Sequence, residues 1–279
     1  MQPRRVLLGT GCTVGILVLW AVWWEPASLQ LNDECVAVQW TLEKPLRVAV
    51  LTDLHVGSPF NGLSRLAEIV ARTNAATPDL VFVLGDLVVQ GVIGGSFIPP
   101  EDIARQLGTL RAPAGVYSVL GNHDAWLDAR RVGRALKGSG IRVLQDQAVR
   151  VDTPAGNVWV AGVSDFWTMR HDVKAALAGV TDADVPLLVM THNPDVFPEI
   201  PSNVTLTVAG HTHGGQVRLP LLGPPVVPSR YGQRFAAGHI VEDGRHLYVA
   251  TGIGTSILPV RFRVPPSIVI LTIGSVCAQ

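Results

Sequence analysis

Hydrophobic and polar residues along the chain alternate in blocks that predict strands and helices in turn. Short apolar runs rich in β-branched residues predict buried strands, and they occupy residues 48–51, 80–84, 116–120, 158–163, 187–190 and 204–208. Between them, apolar residues in Leu63–Ala75 and around residues 103–110 recur every three or four positions, which predicts helices with one buried face. Strands that alternate with helices predict a layered α/β domain in which helices cover the sheets.

The C-terminal third follows a different pattern. Residues 217–273 contain many prolines and glycines and show little helical periodicity. Strand-like runs at 246–250 and 268–273, with a predicted hairpin around residues 242–245, indicate a mostly antiparallel sheet region.

The N-terminal segment is apolar enough to cross a membrane. Residues 6–24 are 19 consecutive uncharged residues, about the number that spans a hydrocarbon core of roughly 30 Å as a helix. We therefore predict a transmembrane anchor within residues 1–26, a linker and leading segment over 27–45, and one domain over 46–279. The alternatives are a cleaved signal peptide, including one of the twin-arginine type, and a buried core helix.

The residues that flank this segment predict its orientation. Three tryptophans, Trp20, Trp23 and Trp24, stand at its C-terminal end, where indole rings favour the membrane interface. Arg4 and Arg5 precede the segment, whereas the charges that follow it closely are acidic. Because cytoplasmic flanks carry an excess of Lys and Arg, we predict a single-pass protein of the cytoplasmic membrane whose C-terminal domain lies outside the cytoplasm.

Composition narrows the range of partners. Lys plus Arg and Asp plus Glu both number 22, so the net charge is zero and no global field favours nucleic acid. The three cysteines, Cys12, Cys35 and Cys277, form no C-x-x-C pattern, which argues against thiolate chemistry. Cys35 and Cys277 can pair in an oxidising compartment or remain free.

Five of the predicted strands run into polar motifs that contain metal-binding residue types. The motifs are Asp53-x-His55, Gly85-Asp86, Gly121-Asn122-His123-Asp124, Thr191-His192-Asn193 and Gly210-His211-x-His213. Because α/β sheets place their sites at the C-terminal ends of strands, we expect these motifs to converge. Mixed imidazole and carboxylate ligands suit Mn, Fe or Zn better than Ca or Mg. The remaining histidines, His171, His239 and His246, have no such context and are expected to be ordinary surface or core residues.

In order and approximate spacing, these motifs resemble the calcineurin-like metallophosphoesterases, over roughly residues 46 to 273. Residues 210–216 and 252–255, together with Arg261 and Phe262, resemble the membrane-associated bacterial phosphodiesterase branch of that superfamily. The resemblance implies a four-layer αββα sandwich, with two central sheets flanked by helices, and a location in the bacterial inner membrane.

The resemblance also implies a role for each motif residue. It implies two divalent ions with the ligands Asp53, His55 and His213 on one, Asn122, His192 and His211 on the other, and Asp86 bridging both. His123 would stabilise the developing charge or protonate the leaving oxygen, and Asp124 would orient His123. A pair of ions in such a site polarises a phosphoryl oxygen and activates a water molecule.

The expected activity is therefore metal-dependent hydrolysis of a phosphoester, most simply a phosphodiester. One alternative is a pyrophosphohydrolase of a lipid-linked nucleotide such as UDP-2,3-diacylglucosamine. A second is a membrane-anchored interaction module without turnover, although such modules lose ligands or the catalytic histidine and this chain keeps both. Uncharged apolar runs at residues 219–228 and 257–260 predict surface loops near the metals and favour an amphipathic substrate, such as a lipid-linked one.

Overall fold

The computed structural model describes residues 15–276, which form two six-stranded sheets. In spatial order the first sheet contains β1 (Gln30–Ala37), β12 (Ser267–Gly274), β2 (Leu46–Leu51), β3 (Leu80–Val83), β4 (Val116–Ser118) and β5 (Arg142–Val143). The second contains β10 (Gly238–Glu242), β11 (Arg245–Val249), β9 (Leu206–Ala209), β8 (Leu187–Thr191), β7 (Gly156–Val163) and β6 (Gln147–Thr153). Both sheets are mixed: β12 is antiparallel to β2, β6 to β7 and β10 to β11, and the other neighbours are parallel.

The two sheets pack face to face, and helices cover their outer faces. The core between them contains Val50 and Phe82 from the first sheet and Val160 and Leu188 from the second. Three helices pack on the outer face of the first sheet, namely α2 (Leu63–Ala75), α3 (Pro100–Leu107) and α4 (Asn122–Gly138). The outer face of the second sheet is covered by the short helix α5 (Val173–Leu177) and by 3-10 turns at Pro194–Glu199 and Gly232–Phe235.

Burial on one side explains why the predicted helices form. In α2, Leu66, Ile69 and Val70 are buried and the remaining face carries charged residues, so the amphipathic pattern matches the packing. Helix α4, which had no separate prediction, begins directly at the Asn122 motif and buries Val132 and Leu136. The third predicted strand is therefore short, because the chain turns from β4 into a helix at the motif itself.

The segment predicted as a linker contributes a strand. Residues 30–37 form β1, which pairs in parallel with β12 from Gln30 opposite Ser267 to Ala37 opposite Gly274. This strand lies at the edge of the sheet and most of its side chains are at least partly exposed, so it lacks the apolar run that marks a buried strand. The C-terminal region is also less antiparallel than expected, because β11 pairs in parallel with β9 and β12 pairs in parallel with β1.

The N-terminal helical segment docks on the catalytic domain. It contains a π-helix, Trp20–Trp24, and α1, Glu25–Ala27. The amide of Arg261 donates to the carbonyl of Ala21 at 3.0 Å, and the buried Glu25 carboxylate accepts from the amide of Val264 at 2.5 Å. Within residues 15–276 no helix is long and apolar enough to cross a membrane; residues 6–14 of the predicted anchor lie outside the described part of the chain.

Candidate metal centre

The five polar motifs lie together where the C-terminal ends of β2, β3, β4, β8 and β9 meet. Backbone hydrogen bonds join the loops: the amide of Asp53 donates to the carbonyl of Gly85 at 3.1 Å, and the amide of His55 to that of Asp86 at 2.9 Å. Gly121 permits a close approach, because a Cβ atom there would lie 2.2 Å from Oδ1 of Asp86. The loops are thus held together by their own backbones.

Asp53, His55 and His213 form the first cluster, with ligand atoms within 4.8 Å of one another. The Nε2 atoms of His55 and His213 are 3.1 Å apart, and Nε2 of His213 lies 3.4 Å from Oδ1 of Asp53. All three side chains are buried. Two imidazole nitrogens and a carboxylate oxygen that face a common point can hold a transition-metal ion.

Asp86, His192 and His211 form the second cluster, with the same limit of 4.8 Å between ligand atoms. Nε2 of His192 lies 3.1 Å from Nδ1 of His211 and 3.1 Å from the amide oxygen of Asn122. The Asn122 oxygen therefore joins this cluster, as the sequence motif implied.

Asp86 lies between the two clusters. Its Oδ1 accepts a hydrogen bond from the amide of His123 at 2.8 Å. Its Oδ2 lies 3.6 Å from Nε2 of His55 and 3.3 Å from Nε2 of His192. One oxygen is thus held by the backbone, which leaves the other to face both groups of imidazoles.

The hydrogen bonds behind the ligands prepare the imidazoles for metal binding. Nδ1 of His55 faces the carbonyl of Val88 at 3.3 Å, and Nδ1 of His192 faces the carbonyl of Leu84 at 2.7 Å. Because a carbonyl only accepts, Nδ1 carries the proton and Nε2 directs its lone pair into the cluster. In this tautomer the lone pairs of the ring nitrogens converge on common points, so these residues fit divalent metal ions.

Electrostatics favour a cation for the same reason. Burial lowers the pKa of His55 and that of His211 to about 3, which keeps both rings neutral and able to bind a metal. Burial also lowers the pKa of His192, but the carboxylates of Asp86, Asp53 and Asp165 together outweigh it and raise that pKa to about 10. Burial raises the pKa of Asp53 to about 6. Without metal, a proton on His192 supplies part of the positive charge that the buried carboxylates need, and a metal ion would supply more.

The backbone at the ligands is strained. Positive φ angles of 38° to 69° occur at Asp53, His55, Asp86, His211 and His213. Non-glycine residues in this region cost about 1–3 kcal/mol each. The surrounding hydrogen bonds and packing hold these conformations, as is common where side chains must converge on one point.

His123 lies at the wall of the centre and has no hydrogen-bond partner at Nδ1 among the described residues. Its ring packs edge-on against that of His55, with centroids 4.6 Å apart. Burial lowers its pKa, so the ring is neutral at neutral pH. Because His55, Asp86 and His123 also form a compact group, location alone permits either a ligand or a catalytic role for His123.

Both carboxylate oxygens of Asp124 accept hydrogen bonds from backbone amides. Its Oδ1 accepts from the amide of Leu87 at 2.9 Å, and its Oδ2 accepts from the amide of Gly121 at 3.0 Å. With both oxygens engaged by backbone donors, the fully buried carboxylate joins the loops after β3 and β4. These contacts give Asp124 a structural role, and its predicted role in orienting His123 stays a prediction.

Arg261 lies behind the first cluster. In the sequence it was noted only as a residue that carries the family resemblance, and no role was predicted for it. It is fully buried, and its guanidinium donates to the carbonyls of Gly254, Val264 and Thr251 at 3.1, 2.9 and 3.1 Å. Its Nη2 also lies 3.4 Å from Nδ1 of His213. The arginine therefore fixes the chain around His213.

A cavity of about 380 Å³ opens over the two clusters. Trp126 and Trp167, which are 55% and 44% exposed, form part of its wall. Their rings lie 4.8 Å from the ring of His123 and 4.3 Å from that of His211, respectively. Neither tryptophan was predicted from the sequence as a site residue. Trp126 follows His123 by three positions on a helix and so shares its face, whereas no local signal marks Trp167.

The other histidines lie outside the centre. His171 is 3.1 Å from the carboxylate of Glu199. His239 and His246 stack on the hairpin formed by β10 and β11, with Nε2 of one 3.0 Å from Nδ1 of the other. The predicted hairpin is therefore present, and neither it nor His171 contributes to the clusters among the described residues.

Comparison with known proteins agrees with this geometry. The family model described as calcineurin-like phosphoesterase matches residues 46–215. The chain is 31% identical over 279 residues to phosphodiesterase YaeI of Escherichia coli strain K12, covering 97% of this chain and 98% of the relative. It is 28% identical over 232 residues to the uncharacterized metallophosphoesterase YkuE of Bacillus subtilis strain 168, covering 82% and 79%.

A solved structure, the calcineurin-like phosphoesterase YfkN from Bacillus subtilis, superimposes on 75% of this chain and 82% of its own with a TM-score of 0.48 and 12% identity. That score is too low to carry an argument about function. The family model and the relatives decide the class: the chain belongs to the calcineurin-like phosphoesterases. It is a metal-dependent phosphoesterase with buried histidine and aspartate clusters suited to metal.

Proposed function

We propose that the protein hydrolyses a phosphodiester with a pair of divalent ions, one in each cluster. The observation that carries the proposal is the position of Asp86, whose Oδ2 lies 3.6 Å from Nε2 of His55 and 3.3 Å from Nε2 of His192. A single carboxylate oxygen that serves two groups of imidazoles supports two ions that act together. The donor set suits Mn, Fe or Zn.

The chain's own groups have separate tasks in this reaction. When bound, the ion pair stabilises charge on the phosphoryl group and lowers the pKa of a water molecule. His123, neutral and at the cavity wall, donates a hydrogen bond to the charge that develops as the ester bond breaks. The amide of His123 also holds Asp86 in place through its 2.8 Å hydrogen bond to Oδ1.

The cavity favours a diester over a monoester. None of the described residues that line it is Lys or Arg. A monoester dianion would need more positive charge than a diester monoanion, which carries a single negative charge. Aromatic walls at Trp126 and Trp167 also suit the organic groups on a diester. The name of the relative YaeI, a phosphodiesterase, supports the same choice.

The proposal includes an anchor and an orientation. Residues 6–24 would span the bacterial cytoplasmic membrane once and leave the catalytic domain outside the cytoplasm. Cys35 is disulfide-bonded, and disulfides persist in oxidising compartments. The arginines Arg4 and Arg5 before the span favour a cytoplasmic N-terminus. Protease added to intact spheroplasts should digest the domain, and complete protection in sealed cells would reverse the orientation.

The activity is tested with the purified full chain loaded separately with Mn, Fe or Zn. The substrates are bis(p-nitrophenyl) phosphate, p-nitrophenyl phosphate and UDP-2,3-diacylglucosamine. We expect metal-dependent turnover with the diester preferred over the monoester. Preference for the pyrophosphate would favour the lipid-linked nucleotide alternative, and no turnover with any substrate or metal would favour an interaction module.

A further inference from the structure

Exposed apolar side chains lie at the mouth of the catalytic cavity and on the loops next to it. This apolar rim consists of Ile93, Leu221, Leu222, Val226, Ile257 and Leu258. Val226 and Ile257 line the cavity, although each is 72% exposed. Leu221 and Leu222 precede Val226 on the same loop, so the rim begins at the edge of the cavity and continues on its loops.

The loops that carry the rim are fixed to one another. The amide of Ile93 donates to the carbonyl of Ile257 at 3.2 Å. The side chain of Gln216 accepts from the amide of Ser256 at 2.7 Å and donates to the carbonyl of the same residue at 3.1 Å. These bonds hold three separate segments of the chain as one surface.

The N-terminal helical segment contacts the chain a few residues after the rim. The amide of Arg261, in the segment that follows the rim residue Leu258, donates to the carbonyl of Ala21. The helical segment has a second contact with the domain, because the ring centroid of Trp23 lies 5.7 Å from that of Phe60. The large apolar side chains between residues 16 and 24 are at least 38% exposed, so this helix presents an exposed apolar surface near the rim.

The chain segments that carry the rim contain arginines and no acidic residue. Residues 91–99, 216–234 and 252–267 contain no Asp or Glu. Arg218 and Arg263 are exposed and follow directly after the paired residues Val217 and Phe262. Arg263 also lies in a pocket with Trp20 and Trp24 of the helical segment. Apolar tips, interfacial tryptophans and arginines on one surface match the acyl, interfacial and anionic headgroup layers of a bilayer.

We infer that the apolar rim inserts into the surface of an anionic bilayer and that the cavity takes lipid phosphodiesters whose acyl chains remain in the membrane. This inference rests on the proposed phosphodiesterase function. The rim lowers the mouth of the cavity to the headgroup layer, so that a lipid phosphodiester reaches the metal centre without leaving the bilayer.

Insertion is tested with the full chain reconstituted in vesicles of phosphatidylcholine and phosphatidylglycerol brominated on the acyl chains. An environment-sensitive fluorophore is attached to Leu222→Cys, and to Val241→Cys as a control. Val241 is an exposed apolar residue, 54% exposed, on strand β10 of the other sheet. The wild-type chain treated with the same reagent gives the background from native cysteines. We expect bromine to quench the probe at 222 at least twofold more than the probe at 241.

Substrate choice is tested with Leu221→Ser/Leu222→Ser, which changes two rim residues that do not line the cavity, and with Val241→Ser. The soluble substrate is bis(p-nitrophenyl) phosphate, and the lipid substrate is phosphatidyl-p-nitrophenol in the same vesicles. We expect the rim variant to hydrolyse the lipid at least tenfold more slowly and the soluble diester within twofold of wild type. Val241→Ser should leave both rates unchanged.

Equal quenching at both positions, or an equal loss of both activities in the rim variant, would overturn the inference. A probe at 222 that is shielded in detergent and unquenched in vesicles would identify a second copy of the chain as the occupant of the rim, which also overturns it. Wild-type protein without turnover of the soluble diester would instead refute the proposed function, and the quenching measurement would still decide the membrane contact.

Discussion

The metal centre and the apolar rim of its cavity lie close together, yet the structure specifies them in opposite ways. In the centre, Asp86 is buried, one of its oxygens accepts a backbone hydrogen bond and the other faces two histidine clusters. At the rim, Leu221 is fully exposed and Leu222 nearly so. The centre is constrained by many partners inside the protein, whereas the rim has chemistry suited to a partner outside it. Substitutions in the two regions should therefore differ in kind.

The largest effect is expected for Asp86→Asn at the meeting point of the clusters. An amide lacks the negative charge that serves both groups of imidazoles, so at least one ion should be lost. Turnover of a soluble diester should fall by at least ~10³, the scale of a lost electrostatic group. Elemental analysis of the purified variant measures the metal content, and two retained ions with wild-type turnover would contradict the bridging assignment.

His123→Ala should separate catalysis from metal binding within the centre. Turnover should fall by about 10²–10⁴, the usual contribution of a positioned acid or hydrogen-bond donor. Both ions should remain, because each cluster keeps its own ligands. A joint loss of metal and rate would show that His123 is a ligand, a role that its proximity to His55 and Asp86 also permits.

Removing the metal should destabilise the protein, because converging lone pairs and carboxylates then lack their cation. At a metal concentration about 100 times the dissociation constant, binding contributes about 2.7 kcal/mol. For a domain of this size that corresponds to a fall of roughly 5–11 °C in Tm. Calorimetry before and after chelation measures it, with Asp86→Asn as the control, in which the shift should be smaller. An unchanged Tm in the wild type would indicate that the clusters bind no metal.

Asp124→Asn should affect stability more than chemistry. An amide has one acceptor oxygen, so the backbone amide of Leu87 or that of Gly121 loses its partner. The expected cost is about 1–3 kcal/mol, measured by denaturant unfolding. Turnover should fall by less than the ~10²-fold minimum for a lost catalytic donor. A loss as large as that of His123→Ala would support the catalytic role predicted for Asp124.

The smallest effect is expected at the rim. Leu221→Ser changes an exposed side chain, so the free energy of unfolding should change by no more than about 0.5 kcal/mol. Denaturant unfolding in detergent measures this, and a soluble diester serves as the activity control. A larger loss of stability would show that the loop packs on the domain itself, which would remove the contrast between rim and centre.

The parts of the molecule differ in how far the sequence predicted them. The ligands were found because each motif follows a run of apolar, β-branched residues, and the C-terminal ends of strands meet at one edge. The edge strand β1 was missed because its side chains are mostly exposed and polar. It therefore has neither the apolar run nor the regular spacing of apolar residues that predicts a strand. Trp167 and the contacts of Asp124 were missed because both depend on segments that meet only in the folded chain.

The sequence by itself determined the class of fold, the residue types of the metal centre and their order along the chain, because strand periodicity and motif composition are local properties. Only the tertiary structure decided that Oδ2 of Asp86 faces both clusters, that Asp124 holds loops, and that apolar loops lie at the mouth of the cavity. The reason is distance along the chain. The carbonyl that orients His192 belongs to Leu84, 108 residues earlier, and such a contact depends on how the two sheets pack.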